Sequence, residues 1–133
     1  MAEEAEPMDD RQAILAKLDR LSELAFNRDP AIVDEVWSPG LRWSGSSPGE
    51  FAEDREGLSA LMEGLFDLPV RYSFDFARRD VDVKGDVAWL FAEGDVVETA
   101  VDSLVRKPYR LAAVFARDEG EWRWRLFCGS EPV

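Results

Sequence analysis

The chain has 133 residues, 46% hydrophobic and 33% charged, with 28 acidic against 16 basic side chains and a formal net charge of -12. That length and composition suit one folded domain with a real core. The charge argues against nucleic acid as a partner and disfavours anionic membrane surfaces. There is no histidine, and Cys128 is the single cysteine. Imidazole acid–base chemistry, His-activated nucleophiles, the commonest zinc and non-haem iron sites and any internal disulfide are thereby excluded. No metal or other cofactor is expected.

The first residues, MAEEAEPMDD, are acidic where a signal peptide would be basic and then apolar. Residues 1–9 are expected to form a flexible acidic tail and residues 10–133 a single domain. No apolar run approaches the ~20 residues of a membrane helix, so the expectation is a soluble, cytoplasmic protein. A first helix runs from about Asp10 to Asn27, with Ile14, Leu18, Leu21 and Ala25 at helical spacing and Asp9 or Asp10 as its cap. Asp29-Pro30 starts a short second helix carrying Ile32, Val33, Val36 and Trp37, which Ser38-Pro39-Gly40 ends. Leu41 to Ser44 is extended, and Gly45-Ser46-Ser47-Pro48-Gly49 is read as a plain turn. A third helix covers roughly Asp54 to Phe66, weakened by Gly57 and Gly64.

From Val70 the period changes from helical to alternating. Tyr72, Phe74 and Phe76 lead a strand that reaches the Lys84-Gly85-Asp86 turn. The apolar run Val87 to Glu93 predicts a central strand buried on both faces, with Gly94 marking a bulge or bend. Residues 100–107 are expected to be a long hairpin connection. Strands then follow over Tyr109 to Arg117 and Trp122 to Ser130, joined at Asp118-Glu119-Gly120-Glu121. Helices followed by hairpin-linked strands predict an α+β domain, the helices covering one face of an antiparallel sheet. The other face carries Leu111, Ala113, Phe115 and Phe127 by this reading, and an exposed apolar face of that kind predicts a sheet-to-sheet homodimer.

This order of elements, with its local motifs, resembles the nuclear-transport-factor-2-like superfamily, which includes ketosteroid isomerases and scytalone dehydratase, and within it the SnoaL-like domains. The resemblance covers about Asp10 to Pro132. It is carried by Asn27-Arg28-Asp29-Pro30, by Ser44 to Glu50, by Gly85-Asp86-Val87-Ala88-Trp89, by Gly120-Glu121-Trp122-Arg123-Trp124 and by Phe127-Cys128-Gly129-Ser130-Glu131-Pro132. It implies a cystatin-like α+β roll: a cone-shaped, curved antiparallel sheet wrapped around the N-terminal helices. Such folds host isomerases, dehydratases, cyclases and non-catalytic binders. Relatives often carry His where Cys128 stands in the last strand, and no Tyr with paired Asp of the ketosteroid-isomerase kind is present.

Strict alternation in the last strand puts Trp122, Trp124, Leu126, Cys128 and Ser130 on one face, taken as the inner one, with Arg123, Arg125 and Phe127 opposite. Trp124, Cys128 and Ser130 are therefore pocket candidates, although the default reading of Cys128 is a small buried apolar residue. Arg110 is a further candidate if Arg110, Ala112 and Val114 point inward, where it would meet a carboxylate or enolate; the alternative is a pairing with an acidic neighbour. Trp37 and Trp43 come from the region that closes the cone in relatives, and Tyr72 offers either a pocket hydroxyl or surface decoration. Among the strand carboxylates Asp75, Glu93, Asp95 and Glu98, one buried in the cone would serve as a base. Three functions stay open. The first is a homodimer binding a small apolar molecule in the cone. The second is an isomerase, cyclase or dehydratase with an Asp or Glu base and Arg110 or Tyr72 as electrophilic partner. The third is an interaction module whose cone is filled by its own aromatic side chains.

Overall fold

The structure is a computed structural model that describes residues 9–132. The tail expected over residues 1–9 lies, apart from Asp9, outside the described residues. Helix α1 spans Asp10–Phe26. The Asp9 carboxylate accepts from the Gln12 N–H at 2.7 Å, and Gln12 answers on the Asp9 N–H, so two otherwise orphaned donors are satisfied. Ile14, Leu18, Leu21 and Leu24 form the buried stripe. The short α2 is Ile32–Val36, starting after Pro30 rather than at it; Asp29 still takes the Ala31 N–H at 2.9 Å. Strands β1 (Arg42–Ser44) and β2 (Phe51–Ala52) flank the Gly-Ser loop, whose second strand the sequence did not signal. Helix α3 is Arg55–Phe66, capped by Asp54 on the Gly57 N–H at 2.6 Å.

Four long strands follow: β3 Arg71–Lys84, β4 Val87–Thr99, β5 Leu104–Asp118 and β6 Glu121–Ser130. The expected connection over 100–107 contracts to residues 100–103, and residues 104–107 extend β5. The six strands form one curved, unclosed sheet in the order β2-β1-β6-β5-β4-β3. All pairings are antiparallel except β1 with β6, which is parallel. The helices cover the inner face. Ser22 of α1 stitches to β3 by accepting from the Phe74 N–H at 2.8 Å.

Two bulges decide which side chains point inward. Between β3 and β4 the register slips at Ala77, opposite Gly94, so the bend lies where Gly94 marked it although the extra residue belongs to β3. A Cβ at Gly94 would sit 2.2 Å from the Asp75 carbonyl oxygen, which only glycine avoids. Between β5 and β6, Phe115 pairs with Trp124 and Val114 with Leu126, leaving Arg125 as the extra residue.

That second bulge inverts the alternation expected for β6. Trp122 and Trp124 point inward before it, Phe127 and Gly129 after it, and Leu126, Cys128 and Ser130 turn to the outer face. The parity of β5 is likewise the reverse of the one considered for Arg110. Leu111, Ala113 and Phe115 are core, and Arg110 and Ala112 are outside. The run in β4 is buried on one face only: Ala88, Leu90 and Ala92 are buried, while Val87, Trp89 and Phe91 remain 44%, 44% and 36% exposed. Cross-strand register places Val114 and Leu126 beside Trp89, and Ala112 and Cys128 beside Phe91. The apolar outer face thus exists, with different residues from those expected.

Candidate functional site

Between the helices and the inner sheet lies a cavity of about 250 Å³, open at its rim. Every element except β2 contributes to it. Leu21 and Ala25 come from α1, Ile32 from α2, Leu61, Met62, Leu65 and Phe66 from α3. The sheet supplies Trp43 from β1, Tyr72 and Phe74 from β3, Val96 and Glu98 from β4, Lys107 and Tyr109 from β5, and Phe127 from β6. Trp43 stacks face to face on Phe127 with centroids 3.7 Å apart, and Phe74 contacts Tyr109 at 5.3 Å, so the floor is a continuous aromatic surface. For scale, a cavity of ~150 Å³ in another protein holds benzene.

The polar groups gather at the rim. The loop between β1 and β2 is closed by the Gly45 N–H donating to the Glu50 carbonyl at 2.6 Å. It also holds the Glu50 carboxylate through the Ser47 N–H at 2.8 Å. The adjacent Ser46 hydroxyl donates to Glu131 at 2.6 Å. Across the opening, Lys107 pairs with Glu98 at 3.0 Å. Among the described residues, no lysine or arginine lies within 4.0 Å of the Glu50 or Glu131 carboxylate.

Two phenols face this ring of charge. Tyr109 is only 5% exposed, and its hydroxyl lies over the backbone of Gly129, where a Cβ would come within 1.8 Å. Burial, then the negative charge of Glu50 and Glu131, raises its pKa well above the ordinary tyrosine value, against a smaller opposing effect of a hydrogen bond with Ser46. Tyr72 is raised as well, first by desolvation, then by Glu98 and Glu50. Hydrogen bonding to Glu98 and its charge raise the Lys107 pKa, so the ammonium persists. Both tyrosines are thus neutral hydrogen-bond donors in the physiological range.

Of the residues singled out from the sequence, the structure brings Trp43 and Tyr72 to the cavity. Trp37 borders a separate shallow groove with Pro39, Asp118 and Arg125. Trp124 is 0% exposed, packed into the core between Phe115 and Phe127. Arg110 lies outside and pairs with Glu93 at 2.7 Å, so it cannot serve as the cavity's electrophile. Cys128 and Ser130 stand on the outer face because of the Arg125 bulge. Of the strand carboxylates considered, Glu98 alone reaches the rim.

Tyr109, Glu50, Lys107 and Glu131 were not singled out. Strand alternation from Leu111, read as inner rather than outer, would have found Tyr109. The loop acid and the tail acid carry no local signal. The described residues hold no group of three or more His, Cys, Asp or Glu set for a metal ion, so the rim acids do not converge on one point. No helix among them is long and apolar enough to cross a membrane.

Comparison with known proteins bears on the fold. No curated protein matches the sequence. Among solved structures, an NTF2-like protein from Streptomyces avermitilis, provisionally described as a dehydratase, superposes with a TM-score of 0.80 at 13% identity, over 93% of this chain and 96% of that one. An NTF2-like protein with a cystatin-like fold from Novosphingobium aromaticivorans gives a TM-score of 0.75 at 19% identity, over 92% of this chain and 81% of that one. An NTF2-like superfamily protein from Salmonella enterica gives 0.77 at 14%, over 92% and 91%. Identities this low establish a shared fold and nothing about activity. The family model of the SnoaL-like domain matches residues 14–131, nearly all of the sheet and helices described above, and the chain belongs to the SnoaL-like domain family.

Proposed function

We propose that the protein binds a small, largely apolar molecule in its cone and does so as a homodimer. The observation that carries the binding reading is the cavity of about 250 Å³ walled by aliphatic and aromatic side chains, with its charged groups at the rim and the Tyr109 phenol in its wall. A void of this size runs against a cone filled by its own aromatics. The test is a titration with indole followed by amide NMR. Shifts are expected at Trp43, Tyr72 and Phe74, and not at the core residue Trp124. Replacing Ala25 by Trp fills the cavity and abolishes the shifts in a protein that keeps its remaining spectrum. Unchanged indole shifts in that variant, or shifts confined to the outer face, refute the reading.

The dimer rests on the outer sheet face. Val87, Trp89 and Phe91 of β4 lie beside Ala112, Val114, Leu126 and Cys128 on neighbouring strands. A net charge of -12 opposes self-association, and a face low in net charge keeps that repulsion small. This one is bordered by internally compensated pairs, Arg110–Glu93 and Arg78–Asp80, both at 2.7 Å. Sedimentation equilibrium is expected to give twice the chain mass, and Trp89→Lys to give a folded monomer in which Cys128 is alkylated faster. A monomeric parent protein removes this part of the proposal.

One observation favours a second reading, an acid–base enzyme at the same cavity: the Tyr109 phenol stays protonated close to Glu50 and Glu131. In an isomerisation, a glutamate takes the proton from a carbon next to a carbonyl, the phenol hydrogen-bonds the enolate oxygen, and the carboxyl returns the proton at another carbon. Such an enzyme would incorporate solvent deuterium into 3-cyclohexenone, a rate that Glu50→Gln or Tyr109→Phe lowers. No incorporation above buffer leaves the binding reading alone.

A further inference from the structure

The charge at the cavity mouth points to the kind of molecule the cone accepts. This inference rests on the cavity being a binding site and goes beyond it to the ligand's chemistry. Three carboxylates line the opening against one ammonium, and that ammonium is already committed to Glu98. Glu50 and Glu131 have no lysine or arginine within 4.0 Å among the described residues, although the Lys107 ammonium lies near enough to Glu131 to feel its charge. Each has one oxygen engaged by a neutral donor, Glu50 with the Ser47 N–H and Glu131 with the Ser46 hydroxyl. Because Ser46 and Ser47 are consecutive, the two carboxylates are gathered by one short loop, on the same side of the opening. Among the described residues, each keeps its second oxygen without a hydrogen-bond partner.

Directly below them the walls are aromatic. Trp43, Tyr72, Phe74 and Tyr109 line the cavity. Aromatic faces attract cations through the ring quadrupole, and repel anions for the same reason. An anionic ligand meets three carboxylates against a single ammonium that is already paired with Glu98. A cation meets carboxylate charge and an aromatic lining together, partly withdrawn from water, where such contacts are stronger than at an open surface.

We propose that the cavity selects an organic cation: a molecule with an apolar body about one or two rings in size, carrying an amine that the Glu50 and Glu131 carboxylates receive at the rim. The apolar body occupies the space between α1, α3 and the aromatic floor. The amine stays at the solvent edge, so its desolvation is partial and the carboxylates offset it. Negatively charged molecules of the same shape are rejected.

The test uses three probes that share one body and differ in head group: 3-phenylpropylamine, 3-phenylpropan-1-ol and 3-phenylpropanoate. Affinities are measured by NMR titration near neutral pH and at low salt. The amine is expected to bind about tenfold or more tighter than the alcohol, as charge-assisted contacts allow, and the carboxylate to be the weakest. In the double variant Glu50→Gln/Glu131→Gln, which keeps an acceptor for Ser47 and Ser46, amine and alcohol should bind within about twofold of each other. Alcohol affinity should be unchanged, which separates lost charge from lost fold. Alcohol or carboxylate binding as tightly as the amine overturns the cation selectivity while leaving the cavity a binding site. An amine preference that survives the double variant overturns the assignment to Glu50 and Glu131. Failure of all three probes, with indole also silent, overturns the binding reading itself.

Discussion

Replacing Gly129 by Ala tests the inward parity of β6 and the seating of the cavity's buried phenol together. A Cβ at Gly129 would lie 1.8 Å from the Tyr109 hydroxyl oxygen, 2.5 Å from Cζ and 3.0 Å from Cε1. The ring cannot retreat cheaply: it is 5% exposed and bounded by Phe74 and Phe76 at centroid distances of 5.3 and 6.4 Å. Overpacking of this kind costs about 1–3 kcal/mol. Alanine recovers roughly 0.5–1 kcal/mol by restricting the unfolded chain. The net expectation is a destabilisation of about 1–2 kcal/mol, which at a urea m-value of roughly 1–3 kcal/mol/M moves the midpoint by about 1 M. The same substitution in a Tyr109→Leu background, which removes all three clashing atoms, should cost nothing further, so the double-mutant cycle isolates the contact. If Gly129→Ala is neutral or stabilising in the parent protein, Gly129 faces solvent, β6 alternates without the Arg125 bulge, and the cavity described above is wrong on that side. An equal cost in both backgrounds refutes the assignment to Tyr109.

Gly94→Ala should be more damaging, by roughly 2–3 kcal/mol or more in the same assay, because the nearest atom is backbone, the Asp75 carbonyl oxygen at 2.2 Å, which no rotamer change relieves; a variant as stable as the parent would mean that the β3 bulge lies elsewhere. Ser38 is 3% exposed, donates to the Trp124 carbonyl at 2.9 Å and accepts from Arg125, so Ser38→Ala leaves two groups without their partner and should cost about 1–3 kcal/mol by urea denaturation. An unchanged midpoint would show that water replaces the hydroxyl. Alkaline pH should destabilise the fold through the tyrosines, the only two in the chain, since both have pKa values raised from 10.0, chiefly by burial. The folded protein keeps phenolic protons that the unfolded chain releases, so this contribution is intact below pH 10 and declines as pH rises beyond it. Absorbance at 295 nm should show no Tyr109 phenolate at pH 10 without unfolding, and Tyr109→Phe should flatten the decline; a freely titrating Tyr109 refutes its buried seating.

Local chemistry written into the sequence was sufficient for the helices and the four long strands, though not for β2 or for the start of β5. Asp9 with Gln12, Asp54 with Gly57, and the switch from helical to alternating spacing at Val70 each depend on neighbours within four residues, where sequence distance and spatial distance coincide. The family resemblance added the cone and the wrapping of the sheet around the helices. Strand faces were another matter. Alternation predicts them only until a bulge intervenes, and the extra residue at Arg125 reversed every assignment from Leu126 to Ser130, taking Cys128 and Ser130 out of the cone and bringing Gly129 in. The bulge has no local signature, because it is defined by how β6 pairs with β5 across the ladder and not by neighbours along the chain.

The apolar run of β4 was ambiguous for a related reason. Val87, Trp89 and Phe91 are apolar whether a helix layer or a second copy of the chain is meant to cover them, and composition does not distinguish the two. The rim of the cavity is the clearest case of tertiary decision. Glu50 comes from a loop, Glu98 and Lys107 from two strands, and Glu131 from the segment after β6. Glu98 is one of four strand carboxylates that alternation brings into view, but among 28 acidic side chains nothing in the sequence marks Glu50 or Glu131. What sets them apart is that β1 pairs parallel with β6, which carries the Ser46–Ser47 loop to the end of the last strand and places Glu50 beside Glu131.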